Sequence, residues 1–165
     1  GVALESGDTF GSNIGYDTWN EDPEAMKVHG LTAADIREAP RSERVDMQLC
    51  AWLQEHGVAK AVPVGWSVGT FDMPYVREYL PEASRIFSKR SVDLNGVGFT
   101  LVRVTGRTYN QLKSASKQYA EKELLRRHPS QKPAWHNARY DAEAALLAWE
   151  FFRNLIVARE IHDYL

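Results

Sequence analysis

Apolar residues return every three or four positions in two long stretches of the chain, which is the pattern of a helix with one buried face. The first stretch begins at Ser42 and ends before Gly57, with apolar positions Val45, Leu49, Trp52 and Leu53. The second runs over residues 141–161, with a stripe of Ala144, Leu147, Phe151, Leu155 and Ala158. Both stretches predict amphipathic helices whose apolar stripes belong to the core.

Proline, glycine and capping residues predict the shorter elements. Helices are expected over residues 23–30, 33–38 after a Thr32 cap, 74–80 and 108–127. Strands are expected over residues 2–4, 11–16, 61–64 and 91–94, with a turn at 6–8 and a loop at 129–133. Strands at the start and helices interleaved later predict a single α/β or α+β domain over residues 1–165.

Composition narrows the class of protein. The length of 165 residues, with 44% hydrophobic content, suits one domain with a real core. A net charge of −2 argues against a protein that coats nucleic acid non-specifically, but not against an enzyme that grips one strand end. The chain has no apolar run of membrane-spanning length, no secretion signal and one cysteine, Cys50. These features predict a cytoplasmic protein without membrane contact.

Three residues could carry chemistry. Asp72 and Asp141 each lie where a predicted helix begins, and His136 precedes Asp141 by five residues. Each aspartate alone is explained by the preference for anionic side chains at helix starts. Together they resemble an acid–metal–base set, because carboxylates hold Mg²⁺ or Mn²⁺ and histidine titrates near neutrality.

Three ordered stretches resemble the DEDDh 3′→5′ exonucleases, a group that includes proofreading subunits and oligoribonuclease. Residues 22–32 read DPEAMKVHGLT, similar to a helix that leads into a His-Gly-Ile-Thr turn. Residues 64–72 read VGWSVGTFD, and residues 136–142 read HNARYDA, similar to the second and third motifs. The sister group with a catalytic tyrosine would place it at Asn137, so the histidine subgroup is favoured.

The resemblance implies an RNase H-like fold, in which helices flank a central mixed sheet. It implies that Asp72 and Asp141 bind two Mg²⁺ or Mn²⁺ ions and that His136 is the general base. The terminal nucleotide would lie against His29, Gly30, Thr32 and Phe71, and Asp93 would support the site. The implied activity releases nucleoside 5′-monophosphates from the 3′ end of a single strand, and the sequence leaves DNA and RNA both open.

The family's first motif, Asp-x-Glu on the first strand, is not found at its usual place. One register aligns Ala3-Leu4-Glu5 with it, so that Glu5 is the glutamate. The other aligns residues 1–4 with the second strand, with a turn at 8–11 and a third strand at 11–16. The second is favoured, because the 23 residues between Glu5 and His29 are too few for two strands and a helix. It predicts a sequence that starts after the first strand, and weak or no activity without that strand.

Two alternatives remain open from the sequence. One is a catalytically inactive domain of the same fold that binds nucleic-acid ends or acts as a scaffold. The other is a helical interaction domain that uses the stripe of the last helix as its partner surface. The lysines and arginines of residues 108–127 indicate a solvated helix face more than a phosphate-binding surface.

Overall fold

The computed structural model describes residues 1–18, 22–129 and 137–163, and only the backbone at residues 25, 29 and 159–163. The helices of this part are α1 (Pro23–His29), α2 (Ala33–Glu38), α3 (Ser42–Glu55), α4 (Asp72–Tyr79), α5 (Pro81–Ser84), α6 (Leu94–Thr105), α7 (Tyr109–Arg127) and α8 (Ala138–Asp163). The strands are β1 (Val2–Ala3), β2 (Thr9–Phe10), β3 (Val64–Gly65) and β4 (Val92–Asp93). The mixed α/β class is confirmed.

The strands form two short pairs. β1 and β2 are antiparallel, with Val2 opposite Phe10, around a turn in which Gly7 has φ +96°. β3 and β4 are parallel, with Gly65 opposite Asp93, and a bridge between Ala61 and Phe87 extends the pair. Both pairs pack on α8, so the last helix brings the two ends of the chain together.

The predicted third strand at residues 11–16 is wrong, because the residues that pair with β1 are Thr9 and Phe10. The turn lies close to the predicted residues 6–8 and not at 8–11, since Leu4 donates its N–H to the carbonyl of Asp8 across 2.9 Å. Gly7 determines this position, since a positive φ is available to glycine without the steric cost that other residues incur.

The strand predicted at residues 91–94 ends one residue early. Asp93 accepts the N–H of Asn95 and caps α6, so Leu94 is already helical. The sequence did not predict α6, whose glycines and β-branched residues weaken the helical pattern. Helix α4 also starts before the predicted Pro74, and α5 follows it directly where only a stop was expected at Pro81.

The core consists of three clusters of buried side chains, two of which include residues of α8. Leu147 of α8 packs with Ala120 and Leu124 of α7, and Phe152 packs with Leu94 and Leu101 of α6. A third cluster joins α3 to α5 and the first hairpin. Burial of Leu147 and packing of Leu155 against the core disfavour the α8 stripe as a partner surface. Within the described residues, no helix is long and apolar enough to cross a membrane.

Candidate active site at two helix starts

A turn with a strained residue connects β3 to Asp72. Ser67 adopts φ +55°, and its carbonyl accepts the N–H groups of Thr70 and Phe71 at 3.1 and 2.9 Å. The buried Val68 then accepts the N–H of Met73 at 2.9 Å, so the turn runs directly into α4. Gly69 lies close to Ser91, whose Oγ would have to move to accept an added Cβ 2.5 Å away.

Asp72 is the first residue of α4, but it does not cap the helix. The N-cap position belongs to Phe71, whose side chain makes no capping hydrogen bond. The side chain of Asp72 reaches solvent, yet enough protein surrounds its carboxyl that burial raises the pKa. A backbone hydrogen bond acts in the opposite direction on this pKa. Asp72 is therefore an acidic residue in the first turn of α4, where the helix dipole favours it, and not the N-cap.

Asp141 is likewise not the cap of its helix. Asn137 fills that role, because its Oδ1 accepts the N–H groups of Arg139 at 3.1 Å and Tyr140 at 3.3 Å. Asp141 lies four residues further on and is half-buried, with its own N–H bonded to the carbonyl of Asn137. Asn137 thus has a structural role as the cap of α8. It is the position at which the exonuclease group with a catalytic tyrosine would carry that tyrosine.

Asp72 and Asp141 both lie near the backbone of Gly1, close enough for their charges to act on it. Gly1 lies directly against the first turn of α8, where an added Cβ would approach the carbonyl oxygen of Ala138 to 2.1 Å. Two aspartates far apart in sequence thus lie near the same stretch of backbone beside β1.

The structure describes the other predicted site residues to different extents. His136 and the side chain of His29 lie outside the described residues. Gly30 follows α1 with φ +69° and donates its N–H to Met26, and Thr32 forms a reciprocal capping box with Asp35 at the start of α2. Phe71 is 64% exposed and projects into solvent beside Asp72, where its ring meets that of Tyr75 edge-on.

Glu5 lies away from this place. It sits in the turn between β1 and β2, and its Oε1 is 3.3 Å from Nη1 of Arg153. Arg153 is twelve residues beyond Asp141 on α8, which corresponds to about 18 Å along the helix axis. The alignment that makes Glu5 a metal ligand is therefore not supported.

The donor set fits a single hard cation. The described part of the chain contains no group of three or more histidine, cysteine, aspartate or glutamate side chains suited to a metal. Mg²⁺, however, is commonly held by one or two carboxylates together with water and substrate phosphate. Asp72 and Asp141, both near Gly1, would be those two carboxylates.

Sequence reasoning named Asp93 as a supporting residue, but it did not find that Ser67 and Asn95 join it in holding the turn before Asp72. Ser67 donates its N–H to Oδ1 of Asp93, and Asn95 bonds to both of these residues. The capping signal at Asp93 was visible in the sequence, but its reach to Ser67 depends on the pairing of β3 with β4.

Comparison with known proteins gives no relative. No family model, curated protein or solved structure matches this chain.

Proposed function

We propose that this protein is a metal-dependent 3′→5′ exonuclease that removes nucleoside 5′-monophosphates from the end of a single nucleic-acid strand. The observation that carries the proposal is the arrangement of Asp72 and Asp141. They come from the first turns of different helices, neither is the N-cap of its helix, and both lie near the backbone of Gly1. Two carboxylates placed in this way suit Mg²⁺, which proteins commonly hold with one or two carboxylates together with water and phosphate.

Each residue of the site has a defined task in this proposal. Asp72 and Asp141 hold Mg²⁺ or Mn²⁺, which when bound would polarise the phosphate and favour ionisation of water. His136 accepts the proton of the attacking water, a role that suits a group titrating near neutrality. Phe71, exposed beside Asp72, provides a ring on which the terminal base packs. A second ion would need further carboxylates, as the resemblance to the DEDDh exonucleases implies.

The fold that we infer is RNase H-like. In it, β1–β2 and β3–β4 are two parts of one mixed sheet. The packing of both strand pairs on α8 supports this proposal. His29, Gly30 and Thr32 would then approach the terminal nucleotide from the turn between α1 and α2.

The test is incubation of a 5′-labelled single-stranded oligonucleotide with the full-length protein and Mn²⁺. We expect a ladder of shortened products, and loss of the ladder in Asp72→Asn and Asp141→Asn. Glu82→Gln is the matched control, because Glu82 is an exposed carboxylate in the first turn of α5 and should retain activity. DNA and RNA strands tested in parallel identify the substrate.

Intact substrate in the presence of folded, full-length protein would refute the enzyme. If that protein still bound a labelled strand, the alternative of an inactive domain that binds nucleic-acid ends would be favoured over the enzyme. A crystal soaked with Mn²⁺ provides a second test. We expect electron density for the ion between Asp72 and Asp141. The absence of that density at saturating Mn²⁺ would contradict the proposal.

A further inference from the structure

One carboxylate oxygen joins the turn before Asp72 to the start of α6. Oδ1 of Asp93 accepts three hydrogen bonds, from the N–H of Ser67 at 3.1 Å, the N–H of Asn95 at 2.9 Å and Nδ2 of Asn95 at 3.0 Å. A simple cap of α6 needs only the bond from the backbone of Asn95. The bond from Ser67 is additional and crosses from β4 to the turn that follows β3.

The side chain of Asn95 completes the link. Its Nδ2 also donates to Oγ of Ser67 at 3.0 Å, and its Oδ1 accepts the hydroxyl hydrogen of Tyr109 at the start of α7. The ring of Tyr109 is fixed in turn by a stacked contact with Phe99, with ring centroids 4.1 Å apart. Side chains from α6 and α7 thus hold one turn of the backbone.

The turn needs such support because of its conformation. A positive φ is unfavourable for a residue with a Cβ, so Ser67 at +55° persists only where its surroundings hold it. The carbonyl of the same residue accepts the N–H groups of Thr70 and Phe71. The orientation of Ser67 therefore helps to fix the backbone of Thr70 and Phe71, which immediately precedes Asp72.

We propose that Asp93 and Asn95 are positioning residues that set the place of the Asp72 carboxylate through Ser67. The inference rests on the proposed function in treating Asp72 as a metal ligand. The link from Asp93 to the turn does not depend on that role. Groups that orient a metal ligand typically change metal affinity by about 10- to 100-fold when removed.

The test compares Asp93→Ala, Asp93→Asn and Asp46→Ala in the full chain, below the melting temperature of every variant. Asp46 is the matched control, because its buried carboxylate also accepts N–H groups from a distant segment, those of Glu82 and Ala83 at 2.9 and 2.8 Å. Asp93→Asn keeps an acceptor oxygen at the same position and tests rescue.

We measure amide hydrogen exchange at Ser67, Thr70 and Phe71, the dissociation constant for Mn²⁺, and kcat and KM on an oligonucleotide. Asp93→Ala should speed exchange at these amides, weaken Mn²⁺ binding about tenfold or more and lower kcat with little change in KM. Asp93→Asn should restore most of each value. Asp46→Ala should lower the melting temperature and leave Mn²⁺ affinity and exchange at these three amides unchanged.

Unchanged exchange and Mn²⁺ affinity in Asp93→Ala would overturn the positioning role, as would an equal loss of Mn²⁺ affinity in Asp46→Ala. Wild-type protein that neither binds Mn²⁺ nor shortens the strand would refute the proposed function instead. The exchange rates then decide by themselves whether Asp93 holds the turn.

Discussion

The side chain of Asn137 accepts the backbone N–H of Tyr140 across 3.3 Å and so caps α8. Asp141, the residue after Tyr140, is not required for that cap. Asn137→Ala should therefore lower the free energy of unfolding by about 1 kcal/mol, the usual cost of losing an N-cap. Asp141→Asn should change it by about 0.5 kcal/mol or less, a helix-dipole effect. Chemical denaturation of both variants without metal checks this, and a larger loss in Asp141→Asn would contradict it.

Asp72 should make the metal-free protein less stable as the pH rises. Burial raises its folded pKa above the ordinary value of 3.8, so between these two values the folded state binds more protons than the unfolded state. This contribution to stability is present below pH 3.8 and is lost as the pH rises through the folded pKa. Asp72→Asn should remove this component and be more stable than the wild type at pH 7.

The measurement for Asp72 is urea denaturation from pH 3 to pH 8 with a chelator, followed by the same series with Mn²⁺. A bound cation favours the ionised carboxylate, so Mn²⁺ should reverse the order and stabilise the wild type more than Asp72→Asn. Parallel pH profiles for the two proteins without metal would show that the carboxyl of Asp72 is not the group responsible.

His136→Ala should abolish turnover without unfolding the protein, because a general base acts on the water and not on the core. Single-turnover kinetics at several pH values, together with a melting curve, provide the measurement. His128→Ala is the control, since His128 is an exposed histidine at the end of α7 whose Nε2 lies 3.4 Å from Glu143. Unchanged turnover in His136→Ala would refute its role as base.

Phe71→Ala should raise KM about tenfold with little loss of stability, because stacking of a base on an aromatic ring contributes roughly 1–3 kcal/mol. The ring is 64% exposed, so its removal leaves the core intact. Met47→Ala is the matched variant, because Met47 is an apolar residue of α3 that is 72% exposed. Equal effects of both substitutions on KM would show that Phe71 has no special contact with the terminal nucleotide.

Helices with strong local signals could be predicted from the sequence. The helix after Ser42, the capped helix after Thr32 and the polar helix up to Arg127 all form close to their predicted bounds. Periodicity and capping act between residues a few positions apart, so the sequence contains the information directly. Helix α6 has no such pattern, and its start is determined by the Asp93 cap and by packing against Phe152 and Leu112.

Strand pairing was harder to predict for a physical reason. Each strand of the described chain is two residues long, so its partner depends on what packs beside it. For example, residues 11–16 were expected to pair with β1, but Thr9 and Phe10 form that pair. The turn at Gly7 and the packing of the hairpin on α3 and α8 decide which residues pair.

The sequence by itself determined the residue types and order of the candidate site: Asp72 after a small-residue loop, and His136 before Asp141. It also determined that both aspartates lie in the first turns of helices. Only the tertiary structure decided that Asp72 and Asp141, from different helices, both lie near the backbone of Gly1. That proximity depends on which distant segments meet beside β1, and it follows from the packing of α8 against both strand pairs.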